Sequence, residues 1–359
     1  MDKENKYNIE TVIFEYNKKD KEFEMFFDSI FRDYINNDKI LPDELYTDSN
    51  NTKIKKISAF LQKLFLDKSV VVNYGDCGAD VTVPAGFMYG LKTLYPNDVQ
   101  LPPKDKLTIE PHYFHCCLRA FTYFDMSFAA ADISNSEEYY MSDCGWFVKR
   151  TPKYGIGARG GSNGESHNHN DVGSFILSVD NAQVLIDMGG RPYTRQYFEH
   201  NTRYTYLETS SRGHNVPIIN GKYQANVPGA HSTTSFENGV FSVDFKSAYD
   251  IPELKKLVRN YSFSDTGVTV CDNFVIEGEA SFTERLVSYV EPKIDGGIVD
   301  YGKLKIKFDP SLATASYEKD VHAQDLNIDG SLKKSVDIYL LNIEVKEPKD
   351  SFTFYIEVE

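Results

Sequence analysis

The spacing of hydrophobic positions changes character about 140 residues into the chain. Before that point Phe23, Phe26, Phe27, Ile30, Phe31 and Tyr34 recur at i, i+3, i+4 and i+7, the spacing that gives a helix one apolar stripe. Ile54, Ile57, Phe60, Leu61, Leu64 and Phe65 repeat it. A third helix is predicted from Pro84, a first-turn proline, through Phe87, Leu91 and Leu94 to a stop at Pro96, and a fourth over 113–126. Later the apolar runs are short and strand-like. They fall at 146–148, 174–179, 183–186, 239–247, 256–263, 267–276, 281–290, 303–308, 337–345 and 351–358. Asp180-Asn181 separates two of them and predicts a tight hairpin turn. Many strands in a hairpin rhythm, without intervening helices, predict an antiparallel sandwich rather than a βαβ sheet. The expected fold is therefore α+β and multidomain, with a helical segment over 1–140 and a large antiparallel β-sandwich over 141–359.

Composition narrows the partners. The 359 residues, 41% hydrophobic and 26% charged, are those of a globular chain with ample core. Lys+Arg 39 against Asp+Glu 53 gives a net charge of −14, which repels phosphate and argues against nucleic acid. No apolar run reaches the roughly 18 residues of a membrane span. The opening Met-Asp-Lys-Glu-Asn-Lys-Tyr has neither a basic nor an apolar leader segment. The expected location is the cytoplasm, or the periplasm or exterior if the sequence is part of a longer precursor. The five cysteines lack a metal-type spacing and read as small buried hydrophobes.

Candidate chemistry concentrates at 160–174, Gly-Gly-Ser-Asn-Gly-Glu-Ser-His-Asn-His-Asn-Asp-Val-Gly-Ser. His167 and His169, two apart, would project to one side of an extended backbone. Asp187 ends the partner strand of the predicted hairpin, so it can return beside His169. His214 follows in Ser-Ser-Arg-Gly-His-Asn, 210–215, directly before another strand. His169, Asp187 and His214 would offer two imidazole nitrogens and one carboxylate oxygen. That set suits Zn²⁺ with an open fourth position, with Mn²⁺ and Ca²⁺ as alternatives. Asp171 and Asn215 are candidates to orient the imidazoles. Lys149, Arg150, Arg159, Arg191, Arg195, Arg203 and Arg212 cluster along this stretch despite the net charge; Arg212 is the candidate cation for an acidic substrate.

The run Glu165–Phe175, then Leu185-Ile186-Asp187, then Ser211-Arg212-Gly213-His214-Asn215, resembles the C-terminal part of the heparinase II/III family of polysaccharide lyases. Gly145-Trp146-Phe147-Val148, Arg259-Asn260-Tyr261 and Cys271-Asp272-Asn273-Phe274 are similar to the family's sandwich, and Asn73-Tyr74-Gly75-Asp76 to its last toroid segment. The resemblance covers roughly residues 70–359. It implies an incomplete (α/α) toroid joined to an antiparallel sandwich, and β-elimination of uronic-acid glycans. It implies a metal on His169, Asp187 and His214 that organises the site, and His167 as an active-site residue facing substrate; Arg212, from the cation cluster, is read as the second catalytic residue. In the family the catalytic tyrosine comes from a toroid stretch that has no match here.

Three functions are consistent with these residues. The first is a polysaccharide lyase, or its C-terminal part, acting on an acidic polysaccharide or oligosaccharide. The second is a catalytically incomplete, metal-stabilised module that binds acidic glycans. The third is a metal-dependent hydrolase or oxygenase on an unrelated jelly roll. Because most of the toroid has no counterpart, the chain is expected to self-associate through its helical end or to need a missing N-terminal segment. Tyr74, Tyr193 and Tyr197 are the candidates for acid–base work if this chain acts alone.

Overall fold

The computed structural model describes residues 52–108, 123, 133–227 and 229–359. The helix predicted over 23–35, nearly all of that over 113–126, and Cys116 and Cys117 lie outside the described residues. The chain divides into two compact units, Met1–Gln62 with Thr82–Asp132, and Lys63–Val81 with Ile133–Glu359.

In the first unit the 54–65 stripe forms two short helices, α1 (Thr52–Ser58) and α2 (Phe60–Lys63). Ile57 and Phe60 remain 66% and 40% exposed. Strand β1 (Val83–Pro84) leads into α3 (Ala85–Leu94) and pairs in parallel with β2 (Leu107–Thr108). Pro84 stands just before the helix, as its fixed φ favours. The buried face of α3 is not the predicted one. Ala85, Met88 and Tyr89 are buried, against Val99 and Leu101, while Phe87 and Leu94 are each 46% exposed.

The second unit is the sandwich. Its strands run β3 (Glu137–Met141), β4 (Trp146–Arg150), β5 (Gly155–Arg159), β6 (Phe175–Val179), β7 (Ala182–Leu185), β8 (Ile218–Ile219), β9 (Thr233–Glu237) and β10 (Val240–Asp244). They continue with β11 (Leu254–Ser264), β12 (Gly267–Ile276), β13 (Phe282–Ser288), β14 (Lys293–Asp295), β15 (Ile298–Asp300) and β16 (Leu304–Lys307). Three long strands end the chain: β17 (Ala313–Leu326), β18 (Leu332–Val345) and β19 (Ser351–Val358). An eight-stranded sheet has the order β14-β15-β16-β19-β12-β11-β10-β9, a four-stranded sheet β17-β18-β13-β8, and a five-stranded meander β3-β4-β5-β6-β7. Every strand pair in these three sheets is antiparallel. Alternation along β12 and β19 buries one face of each, so Val268, Val270, Phe354 and Ile356 meet Phe147 and Phe175 in one continuous core.

The hairpin of β6 and β7 turns at Asp180 and Asn181, with φ of 50° and 60°. Two consecutive left-handed residues are what a type I′ turn requires, and Asn and Asp tolerate them best.

Lys63–Val81 packs with the sandwich, although the sequence pattern assigns it to the helical side. Its backbone is not helical beyond Lys63, and Val70, Val72 and Tyr74 bury against Val148 and Ile176. Gly155 makes that approach feasible: a Cβ there would lie 1.8 Å from the Leu66 carbonyl oxygen.

One buried ionic cluster ties the sandwich to the loops above it. Arg259, fully buried, donates to Asp272 at 2.8 and 2.7 Å and to Glu284 at 2.7 Å. Its remaining nitrogen donates to the carbonyls of Gly173 at 3.1 Å and Asn215 at 2.7 Å. Burial and the Asp272 charge raise the Glu284 carboxyl well above the usual range, with Arg259 opposing.

Candidate metal and proton-transfer site

Three segments converge on the site: the loop between β5 and β6, the exit from β7, and the turn before β8. The first loop is closed at its neck, where Arg159 N–H donates to Ser174 O at 3.0 Å and Gly173 N–H to Arg159 O at 2.9 Å. Asn215 fixes the other two. Its amide donates to Phe175 O at 2.6 Å and Ile186 O at 3.1 Å, and its oxygen accepts Val287 N–H at 2.7 Å. Asn215 therefore works through backbone rather than by orienting an imidazole. Asp171 likewise pairs with Arg159 at 3.0 Å.

These clamps bring His169, Asp187 and His214 together. One ligand atom of each lies within 4.8 Å of the others, and the residues are at most 1% exposed. His214 Nε2 faces the Glu208 carbonyl at 2.9 Å, and His169 Nε2 faces Asp76 Oδ1 at 3.0 Å. Both partners are acceptors, so each Nε2 carries the proton and each Nδ1 presents a lone pair. The two Nδ1 atoms and Asp187 Oδ2 are buried and have no hydrogen-bond partner. His214 Nδ1 and Asp187 Oδ2 approach to 3.2 Å without hydrogen-bond geometry. Two ligands of one tetrahedral ion, with bonds of about 2.0–2.1 Å, stand roughly 3.3 Å apart. Orphaned buried polar atoms are costly unless something satisfies them, and these three fit a divalent cation. Burial pushes the Asp187 carboxyl up, but His214, His169 and the Gly189 N–H prevail and hold it below its ordinary value. Burial pushes the His214 imidazole down, and Asp187 more than compensates, raising it.

His167 lies apart from this pocket. Its backbone is left-handed, φ 56°, not extended as the two-residue spacing suggests. The side chain is 57% exposed, whereas that of His169 is buried. The two histidines meet at one carboxylate, each on a different oxygen. His167 Nδ1 reaches Asp76 Oδ2 at 2.8 Å. Asp76 Oδ2 also accepts the Tyr193 hydroxyl at 3.2 Å, and Oδ1 accepts Arg203 Nη2 at 3.0 Å and the Tyr197 hydroxyl. Burial would raise this carboxyl; the hydrogen bonds of His169, Tyr197 and His167, with the Arg203 charge, hold it well below the usual carboxylate range. The segment carrying Asp76 is seated by backbone: its N–H donates to His167 O at 3.2 Å. Gly75, φ +66°, permits the contact, since a Cβ would sit 2.6 Å from that oxygen.

Asp76 is the residue sequence reasoning missed as part of the site. It lies more than ninety positions before the histidines, in a loop without periodic signal. The Asn73–Asp76 resemblance was the available hint. Cys77 beside it is exposed, not buried as expected.

Of the three candidate tyrosines, Tyr193 is 57% exposed. Tyr74 and Tyr197 are buried, and burial raises both hydroxyls well above their ordinary value. Arg212 donates to Asp320 at 2.7 Å and lies 4.0 Å from Glu318, so β17 engages its charge. The cation the fold brings to the histidines is Arg203. Lys149, Arg159, Arg191 and Arg195 are paired with Glu138, Asp171, Glu208 and Glu199; Arg150 donates to the Phe65 carbonyl.

No curated protein matches the chain. Among solved structures, heparan sulfate lyase HepC from Pedobacter heparinus superposes with a TM-score of 0.57 at 15% identity, covering 83% of this chain and 45% of that one. A heparinase III structure gives a TM-score of 0.54 at 15% identity, covering 86% and 48%. The chain thus spans less than half the length of these structures, and the likeness is one of fold. Among the described residues no helix is long and apolar enough to cross a membrane. The family model described as Heparinase II/III-like, C-terminal matches residues 135–288, the stretch that holds four of the five converging residues His167, His169, Asp187, His214 and Asp76. Residues 135–288 are thus similar to the C-terminal domain of heparinase II/III-like proteins.

Proposed function

We propose that this chain is a polysaccharide lyase, or the C-terminal part of one, that cleaves uronic-acid-containing glycans by β-elimination. The observation that carries the reading is a half-exposed His167 held by an ionised Asp76 beside a buried pocket of three unsatisfied metal-ligand atoms, in a heparinase II/III-like domain.

Elimination begins with removal of the C5 proton of a uronate, made acidic when the neighbouring carboxylate is neutralised. His167 is the base. Asp76 takes its Nδ1–H, which leaves Nε2 the lone pair. The electrons of the C5–H bond form the C4–C5 double bond as the C4–O bond breaks, and the departing oxygen takes a proton. Tyr193 is the exposed hydroxyl at hand for that proton, 3.2 Å from the same Asp76 oxygen. His169, Asp187 and His214 would hold a divalent ion such as zinc, which would cross-link the loop that carries His167 to the exit from β7 and the turn before β8.

The products carry a conjugated double bond that absorbs in the near ultraviolet. Heparan, chondroitin, hyaluronan, alginate and pectic substrates are expected to reveal it with at least one member. His167→Ala should abolish the signal while metal content and melting temperature stay nearly unchanged. Binding without absorbance by the wild type would favour the second reading, a metal-stabilised acidic-glycan-binding module.

A further inference from the structure

The hub of the site is a residue that touches neither pocket alone. Asp76 is 5% exposed at its side chain and accepts five described donors. Its two oxygens are divided between two histidines with different assignments. Oδ1 takes His169 Nε2 at 3.0 Å, together with Tyr197 and Arg203; Oδ2 takes His167 Nδ1 at 2.8 Å, together with Tyr193.

We propose that Asp76 is a positioning residue that sets the tautomers of both histidines at once, coupling metal occupancy to the proton-accepting state of His167. The inference rests on the lyase reading only in giving His167 a reaction to perform; the coupling itself is a property of the chain.

An ionised carboxylate can only accept hydrogen bonds. Each imidazole nitrogen facing it must therefore carry a proton. At His169 that nitrogen is Nε2, so Nδ1 is the lone pair, and Nδ1 is the atom left unpartnered beside Asp187 and His214. At His167 the protonated nitrogen is Nδ1, so the lone pair falls on Nε2 of a ring that is 57% exposed. One side chain thus makes one histidine a ligand through Nδ1 and the other a base through Nε2. Tyr197 and Arg203 lock the carboxylate's rotation, since both engage Oδ1. Arg203 also stacks over the Tyr197 ring at 4.5 Å. A cation that draws His169 toward Asp187 pulls on Oδ1 and, through the same rigid group, on the partner of His167. Linkage makes such coupling reciprocal.

Asp76→Asn separates this role from simple support. The amide keeps the shape but replaces one acceptor by a donor. It can serve one imidazole N–H, and must present an N–H to the other. That second histidine is forced to the opposite tautomer.

The experiment is long-range ¹H–¹⁵N correlation on the full chain with ¹⁵N-labelled histidine, near pH 8, where ordinary imidazoles are neutral. His167→Ala and His169→Ala identify the signals. The wild type is expected to show His167 as the Nδ1–H form and His169 as the Nε2–H form, with the His167 signals shifting when Zn²⁺ is added. In Asp76→Asn one of the two inverts, and Zn²⁺ affinity by chelator competition falls about 10- to 100-fold if it is His169. If it is His167, turnover falls with KM unchanged. A wild-type His167 in the Nε2–H form overturns the proposal, whatever the variant does. So does a folded Asp76→Asn in which both tautomers persist. If Asp76→Asn does not fold, the wild-type spectrum with and without Zn²⁺ decides: no movement of His167 on metal addition overturns the coupling. An inactive wild type with the expected tautomers would sink the lyase reading and leave this one standing.

Discussion

Two buried polar clusters sit in the same sandwich and differ in one respect. Around Arg259 every polar end is met: two carboxylates and two carbonyls surround the guanidinium, and none of these side-chain atoms is orphaned. Around His214, two imidazole nitrogens and a carboxylate oxygen converge without partners. Both lie at zero or near-zero exposure, so solvent cannot excuse the difference. A satisfied cluster specifies a fold. An unsatisfied one, built from good metal ligands whose other atoms are carefully paired, specifies something to be bound.

The largest way to break the comparison is at the satisfied cluster. Arg259→Met should strand Asp272, Glu284 and the carbonyls of Gly173 and Asn215, at a cost of about 3–5 kcal/mol. Denaturant unfolding measures it, and a loss below about 1 kcal/mol would mean that the cluster is not structural. At the unsatisfied cluster the effect should run the other way. Zn²⁺ at a hundredfold excess over its dissociation constant should add about 2.7 kcal/mol, and His214→Ala should remove that gain. A wild type whose melting temperature ignores both zinc and chelator would leave the three orphaned atoms without a purpose.

Smaller is the acid response. Asp76 is held below its ordinary value near 3.9. Its stabilising share is therefore present above that value and lost as pH falls through the folded one. With chelator present, stability between pH 6 and pH 3 should decline more steeply in the wild type than in Asp76→Asn. Smallest is Arg212→Ala. Its guanidinium is 38% exposed beside Asp320, and an ion pair of that kind contributes under about 1 kcal/mol. A loss of turnover beyond tenfold with unchanged stability would instead give Arg212 the substrate contact expected from the sequence.

How much of this was legible in the chain follows the range of the interactions. The β6–β7 hairpin was plain, because its turn residues and alternation are local. The same hairpin made the pairing of His169 with Asp187 legible. The geometry of His167 was not, since strand alternation does not hold in a loop where one residue turns left-handed. The helix of residues 85–94 was legible, but its buried face was not. Met88 and Tyr89 were chosen by where Val99 and Leu101 return, which periodicity over ten residues does not encode. Asp76 was the least legible, for its role exists only when a segment from before the sandwich is seated against the histidine loop.

The left-handed backbone at His167 has a consequence for how the sequence tolerates change. Glycine adopts that conformation freely, and asparagine more readily than histidine. A library of all twenty residues at position 167, selected for folding alone, should therefore favour glycine and asparagine; selected for turnover, it should return histidine. The gap between the two rankings would measure how much conformational comfort the protein gives up at that position to keep an imidazole there.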